Sequence, residues 1–257
     1  MLKIGALSFI NALPFFGPFL ENRVQFAGEF SYGNPSQINT LLEEGKVDVG
    51  LISSASFLAN RERYILLTNL GIAATNCMKS VCLYSKKEPS KLDGKTIYIP
   101  EPSATSVMLL KVLCKHVWRI KPKFVEHNST LSIEELLRVG DAVLMIGDQC
   151  LITHSSQNHL VTDLCEVWYG FTKKPFVFAV FATRLEAWMD LPDEVRAFHQ
   201  KLFMAYDYST ANFEETLTRA NSQTGLSFDA LRQYYKMLDF YLDSAHFQGL
   251  EQFAKLR

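Results

Sequence analysis

Short runs of β-branched and aliphatic residues alternate with helical patterns over the first two thirds of the chain. This alternation is typical of strand–helix–strand units, which build a mostly parallel sheet with helices packed against it. The predicted strands span residues 2–8, 24–30, 47–53, 80–85, 96–100, 123–126, 142–147 and 176–183. After Arg184 the pattern contains helices only, with starts near Leu191 and Ser227. The sequence therefore predicts an α/β fold with a helical C-terminal region.

Two helices between the predicted strands carry clear start signals. Asn34 offers a capping side chain, Pro35 suits the first helical position, and Gly45 suits the residue after the helix. Ser132 and Glu135 form a capping box ahead of a second helix. These local signals predict where both helices begin.

The order of the elements predicts two lobes instead of one continuous sheet. A polar segment at residues 86–95 separates a first strand–helix set from a second one, and the chain returns near Pro175. This division assigns residues 1–85 and 178–257 to a discontinuous first lobe and residues 86–177 to a second lobe. A chain that leaves one lobe and comes back forms a cleft between the lobes, and such clefts hold small ligands.

Charge and hydropathy exclude several classes of partner. The 257 residues include 26 Lys and Arg against 27 Asp and Glu, so no basic excess is available to neutralise phosphates and no nucleic-acid partner is expected.

No run approaches the roughly 18 apolar residues that span a bilayer. The N-terminal residues lack the pattern of a signal peptide, so we expect no membrane partner and a cytoplasmic location. The sequence indicates no particular oligomeric state.

The sequence also lacks the common patterns for cofactors, metals and nucleophiles. It contains neither G-x-G-x-x-G nor a Walker A pattern, so no nucleotide or flavin cofactor is expected. The five cysteines have no C-x-x-C spacing and the six histidines form no H-x-x-x-H pair, so we expect no metal and reduced, mostly buried thiols. No G-x-S-x-G elbow is present. If the chain is an enzyme, positioning and hydrogen bonding must supply most of the catalysis.

Small hydroxyl and amide side chains cluster in the turns that follow predicted strands. Open α/β sheets bind ligands beyond the carboxyl ends of their strands, and the N–H groups at helix starts favour anions. Such turns suit a small organic acid with more than one carboxylate. For any one of these side chains helix capping is the simpler interpretation, and only their convergence favours a binding site. The candidates are Ser8, Asn11, Ser53, Ser54, Ser103, Thr105, Ser106 and Asp148.

Several blocks of sequence resemble the chorismate dehydratase family. They keep the family's order from about residue 4 to about residue 184. The blocks are residues 4–14, 35–39, 45–54, 103–106, 146–148, 168 and 175–179. The resemblance implies a two-lobed, periplasmic-binding-protein-like type II fold, with a cleft between the lobes, that is adapted to catalysis.

The resemblance also implies an activity and roles for individual residues. The family removes water from chorismate to give 3-[(1-carboxyvinyl)oxy]benzoate without a cofactor, in the futalosine route to menaquinone. Asn11 matches the family's signature asparagine, which is regarded as catalytic, and Ser80 falls where the family has a serine that contacts the substrate. Chorismate is a dianion. We therefore expect Asn11 to hydrogen-bond the departing hydroxyl, while Ser80, Thr105 and Ser106 hold carboxylates.

Two other functions stay open at this point. One is a 1,4-dihydroxy-6-naphthoate synthase-like enzyme of the same route, although the Ser-Pro-Cys-Pro-Asn-Asp stretch of that family does not resemble residues 8–11. The other is a noncatalytic cytoplasmic protein that binds small carboxylates, because a cleft lined by hydroxyls binds as readily as it catalyses. Incubation with chorismate distinguishes the three functions.

Overall fold

The chain folds as two units, each built around one β-sheet. The computed structural model describes residues 1–100, 104–127, 131–153 and 159–257. Unit 1 comprises Met1–Ala73 and Val177–Asp243, and unit 2 comprises Ala74–Phe176 and Ser244–Arg257. Each unit therefore combines two separate parts of the chain.

Eleven strands lie within the described residues. They are β1 (Lys3–Leu7), β2 (Glu29–Gly33), β3 (Val49–Ser53), β4 (Tyr64–Ala74), β5 (Val81–Ser85), β6 (Thr96–Pro100), β7 (Lys123–His127), β8 (Ala142–Ile146), β9 (Leu160–Asp163), β10 (Phe176–Arg184) and β11 (Asp239–Tyr241). The six-stranded sheet of unit 1 has the order β11-β4-β10-β3-β1-β2, and the five-stranded sheet of unit 2 has the order β7-β6-β8-β5-β9. The predicted α/β fold is confirmed.

Twelve α-helices lie in the same described ranges. They are α1 (Leu13–Leu20), α2 (Pro35–Glu43), α3 (Ser54–Ala59), α4 (Ala104–Leu113), α5 (Ile133–Val139), α6 (Gly147–Thr153), α7 (Leu164–Thr172), α8 (Leu185–Asp190), α9 (Pro192–Ala211), α10 (Phe213–Thr224), α11 (Phe228–Tyr235) and α12 (Ser244–Leu256). Asn34 caps α2 and Ser132 caps α5, each in a complete capping box, as predicted. Of the helices in the described ranges, none has the length and apolar character needed to cross a membrane.

The sheet of unit 1 is mixed, whereas the sequence predicts a mostly parallel one. β1 runs parallel to β2 and β3, but β10 pairs antiparallel with β3. The second strand begins at Glu29 instead of residue 24, because the N–H groups of Arg23 and Val24 donate to the carbonyl oxygen of Pro18 and hold this segment against the end of α1. The short strand β11 also lies in the region where only helices are predicted.

The sheet of unit 2 is mixed as well. β6 runs parallel to β7 and β8, and β5 runs antiparallel to β8 and β9. The pairing of Val81 with Ile146 places β5 in this second sheet, whereas the sequence-based division assigns residues 81–85 to the first lobe. The polar segment at residues 86–95 therefore connects two strands of one sheet.

The C-terminal helix also differs from the sequence-based division, which assigns it to the first lobe. The ring of Phe253 in α12 packs 6.0 Å from Trp168 and 4.9 Å from Phe176, measured between ring centroids. The indole N–H of Trp168 donates to the carbonyl oxygen of Pro175. These contacts remove the apolar ring of Phe253 from water, which is favourable, and the residues that bury it belong to unit 2.

Candidate functional site

In unit 1, the turn after β1 carries a buried amide that lacks a partner. Asn11 lies in a 3-10 turn at Ile10–Ala12 and is 7% exposed. Among the described residues no donor reaches its Oδ1 atom. Ser8, which directly follows β1, is exposed. A buried polar atom without a hydrogen bond is rare in proteins, and it is the kind of atom that a ligand satisfies.

In unit 1, the junction between β3 and α3 contains a similar atom, because Ser54 is the first residue of α3. The Ser54 side chain is fully buried, and its Oγ atom has no hydrogen-bond partner among the described residues. β1 and β3 are parallel neighbours with Ile4 opposite Val49. Their carboxyl ends, and hence the Asn11 and Ser54 turns, lie at the same edge of the sheet.

The neighbouring hydroxyl, Ser53, has a structural task. Its Oγ accepts hydrogen bonds from the N–H of Ser56 at 3.2 Å and from Nδ2 of Asn39 at 3.0 Å. Its N–H donates to Oδ1 of Asn39, also at 3.0 Å. Ser53 is thus the cap of α3, which is the simpler of the two interpretations that its sequence position allows.

In unit 2, four candidate residues lie at the same edge of the sheet. Because β5 and β8 are antiparallel, Ser80 just before β5 lies beside the turn after β8, where the N–H of Gly147 donates to the Ser80 carbonyl oxygen at 2.7 Å. Asp148 follows Gly147 in the first turn of α6. β6 is parallel to β8, so its carboxyl end reaches the same edge. The helix after β6, α4, carries buried Thr105 and Ser106 in its first turn.

The exposure of these unit 2 residues differs. Ser80 is 1% exposed, Thr105 4% and Ser106 6%, whereas Asp148 is half-buried. Ser103 lies outside the described residues. Among the residues that the structure describes, the predicted set in this unit therefore contains three buried hydroxyls and one partly accessible carboxylate.

The segment before Ser80 is held by one carboxylate. Oδ2 of Asp163 accepts from the N–H groups of Met78 at 2.9 Å and Lys79 at 2.7 Å, and Lys79 has a left-handed backbone with φ of 59°. Burial raises the pKa of the Cys77 thiol in this segment, and the negative charge of Asp163 adds to the increase. The approach to Ser80 is therefore a defined turn.

Two supporting residues of unit 1 are absent from the predicted set. Asn39, which bonds Ser53 twice, lies within a block that resembles the family, but nothing in that block distinguishes a supporting amide from a surface one. Tyr235 donates to the carbonyl oxygen of Ile10 from the other end of the chain. No local sequence signal connects residues so far apart.

Comparisons with known proteins agree with this architecture. The chain is 28% identical over 237 residues to a chorismate dehydratase of Thermus thermophilus, an alignment that covers 86% of this chain and 83% of the relative. A solved structure of protein AF1704 from Archaeoglobus fulgidus matches with a TM-score of 0.81 at 19% identity, over 99% of this chain and 96% of that one.

A second solved structure identifies the type of fold. The Candida albicans CA3427 product, described as having the generic periplasmic binding protein fold, matches with a TM-score of 0.73 at 14% identity, over all of this chain and 89% of that one. The fold predicted from the sequence is thereby confirmed as periplasmic-binding-protein-like. A family model described as menaquinone biosynthesis matches residues 2–257. Since this match spans nearly the whole chain, the protein belongs to the menaquinone biosynthesis family.

Proposed function

We propose that the chain is a chorismate dehydratase that acts in the cytoplasm, in the futalosine route to menaquinone. It removes water from chorismate and releases 3-[(1-carboxyvinyl)oxy]benzoate. The observation that carries the proposal is the unpartnered, buried Oδ1 of Asn11, at the position that matches the signature asparagine. Membership of the menaquinone biosynthesis family and the similarity to the Thermus enzyme support it.

The chemistry needs little more than correct placement of the substrate. The C3–H bond and the C4–O bond break and the ring becomes aromatic. The group that accepts the C3 proton passes it to the departing hydroxide, so that one water is released and the acceptor is regenerated. An asparagine amide can accept a hydrogen bond from the C4 hydroxyl and donate one to the departing oxygen. We assign this role to Asn11 and the role of proton acceptor to the enolpyruvyl carboxylate of the substrate. Correct orientation alone can lower the activation free energy of a reaction by about 7–11 kcal/mol.

We further propose that buried hydroxyls hold the substrate carboxylates. Ser54 is the strongest candidate in unit 1, because its Oγ is fully buried and has no protein partner among the described residues. In unit 2 we assign the same role to Ser80, Thr105 and Ser106, which share one sheet edge. A carboxylate accepts hydrogen bonds only, and a hydroxyl can donate one, so the two kinds of group are complementary.

Four other candidates receive narrower roles in the proposal. The exposed Ser8 and the half-buried Asp148 bind substrate at the periphery of these turns, where water still reaches them. Ser53 contributes indirectly, because it caps α3, the helix that begins at Ser54. Ser103 is assigned to carboxylate binding from its sequence position alone.

The decisive experiment is incubation of the protein with chorismate, followed by mass spectrometry. A product lighter by one water supports the dehydratase, whereas unchanged chorismate in a stable complex indicates a noncatalytic binding protein. Asn11→Ala should lower kcat by about 100-fold to 1,000-fold, the range seen when one preorganised hydrogen-bonding group is removed from an active site.

Asn60→Ala is the matched control for Asn11→Ala. Asn60 also carries an amide in unit 1, but it directly follows α3, and its side-chain N–H donates to the carbonyl oxygen of Ser56. This variant should keep its turnover. Near-normal turnover in Asn11→Ala would remove the basis of the assignment.

A further inference from the structure

The turn that carries Asn11 is held by a side chain 225 residues away in sequence. The hydroxyl of Tyr235 in α11 donates a buried hydrogen bond of 2.6 Å to the carbonyl oxygen of Ile10. We propose that Tyr235 is a positioning residue, whose hydroxyl fixes the peptide that leads into Asn11 and thereby directs the Asn11 amide. This inference rests on the proposed function of Asn11.

The geometry of the peptide bond connects the two residues. The carbonyl of Ile10 and the N–H of Asn11 belong to one planar unit, so a restraint on the carbonyl oxygen also restrains the backbone of Asn11. The same oxygen accepts the N–H of Leu13, and the N–H of Ala12 donates to Phe9 at 3.0 Å. Phe9 stands at the position where a polar residue would cap the turn, and its side chain has no group that could do so. The Tyr235 hydroxyl therefore adds a side-chain restraint to a turn of only three residues.

The Asn11 side chain depends on that restraint. Because its Oδ1 makes no hydrogen bond within the described part of the chain, no contact at that atom holds the amide in one direction. The position of the backbone, together with the packing around the buried side chain, then sets where the amide points. A shift of about 1 Å in a group that orients a substrate can lower turnover by about 100-fold.

The Tyr235 ring is itself firmly placed. It is 5% exposed and packs edge-on against Phe213 at 5.4 Å, with Phe240 at 6.4 Å. Phe240 also packs 5.5 Å from Phe15, which lies in the helix directly after the turn. The same aromatic cluster thus packs against the ring that carries the hydroxyl and against α1, the helix that follows the turn.

The test removes the hydroxyl and keeps the ring. Tyr235→Phe should lower kcat by about 10-fold to 100-fold and change KM by no more than about threefold, because the amide is misdirected while the carboxylate contacts persist. Tyr208→Phe is the matched control, since its hydroxyl bonds Glu215 elsewhere in unit 1. We expect this control to keep its kcat.

A double variant separates positioning from simple structural support. If Tyr235 acts through Asn11, Tyr235→Phe should cause no further fall in kcat when Asn11 is already alanine. Equal falls in both backgrounds would overturn the inference, because a general loss of structure does not depend on the Asn11 side chain.

Hydrogen exchange distinguishes failure of the inference from failure of the proposed function. If the wild-type protein does not convert chorismate, the proposed function is wrong, but the restraint on the turn can still be measured. The amides of Ala12 and Leu13 should exchange about tenfold faster in Tyr235→Phe and at the wild-type rate in Tyr208→Phe. Unchanged exchange in Tyr235→Phe would refute the inference whatever the activity.

Discussion

Gly249 allows α12 to pack against the segment around Pro175 within unit 2, and its replacement by alanine gives a prediction of definite sign. A Cβ atom at this position would overlap the backbone carbonyl oxygen of Pro175. Because the obstacle is main chain, no side-chain rotation can relieve the overlap, and either the helix or the segment around Pro175 must move. Alanine itself is favoured over glycine in a helix interior by about 0.5–1 kcal/mol.

The size of the effect follows from what α12 buries. Leu250 is 3% exposed and Phe253 is 1% exposed. Full exposure of two such side chains costs about 3–6 kcal/mol, at about 1.5–3 kcal/mol each. Full exposure is the upper limit of the displacement, so after the gain from alanine is subtracted we expect Gly249→Ala to lower the free energy of unfolding by at most about 2–5 kcal/mol.

Gly170→Ala is the matched control in the same unit. Gly170 lies in α7, and a Cβ there would meet no atom within 4 Å. This variant should therefore raise the free energy of unfolding by about 0.5–1 kcal/mol. Urea denaturation followed by circular dichroism measures both changes, and hydrogen exchange in α7 and α12 locates them. A Gly249→Ala protein as stable as the wild type would refute the reasoning.

Two further predictions concern buried groups in each unit. Asn39→Ala leaves the buried N–H of Ser53 without its acceptor, so we expect a loss of about 1–3 kcal/mol in unfolding free energy and a lower turnover of chorismate; unchanged stability in urea would contradict this. At about pH 8, iodoacetamide should modify the half-buried Cys77 first. Cys114 should react much later, because burial raises the pKa of its thiol to about 12, and labelling of Cys114 as early as Cys77 in peptide mass spectra would contradict the packing.

Local signals explain which parts of the fold are predictable. The capping boxes at Asn34 and Ser132 depend on residues three positions apart, and both helices begin where the sequence predicts. The strand β3 is buried along its whole length, and its apolar run is visible in the sequence. In each case the sequence signal that predicts the helix or strand lies within or directly beside that element.

The features that the sequence does not reveal depend on distant partners. The direction of β5 is set by its pairing with β8 and β9, so a local pattern cannot show that Ser80 shares an edge with Asp148. The 11-residue strand β4 is not among the predicted strands, because a long apolar run carries no clear period of two. The bond from Tyr235 to Ile10 joins the end of α11 to the turn after β1, and no sequence motif connects these two places.

The place of β10 in its sheet has a consequence for synthesis on the ribosome. β10 lies between β3 and β4, yet the ribosome makes it only after nearly all of unit 2. At about 5–20 residues per second, roughly 5–20 s pass in which β3 and β4 both present open edges. Open strand edges readily pair with other chains. The risk of aggregation is therefore greatest while residues 74–176 are being translated, and it falls when β10 inserts between its two neighbours.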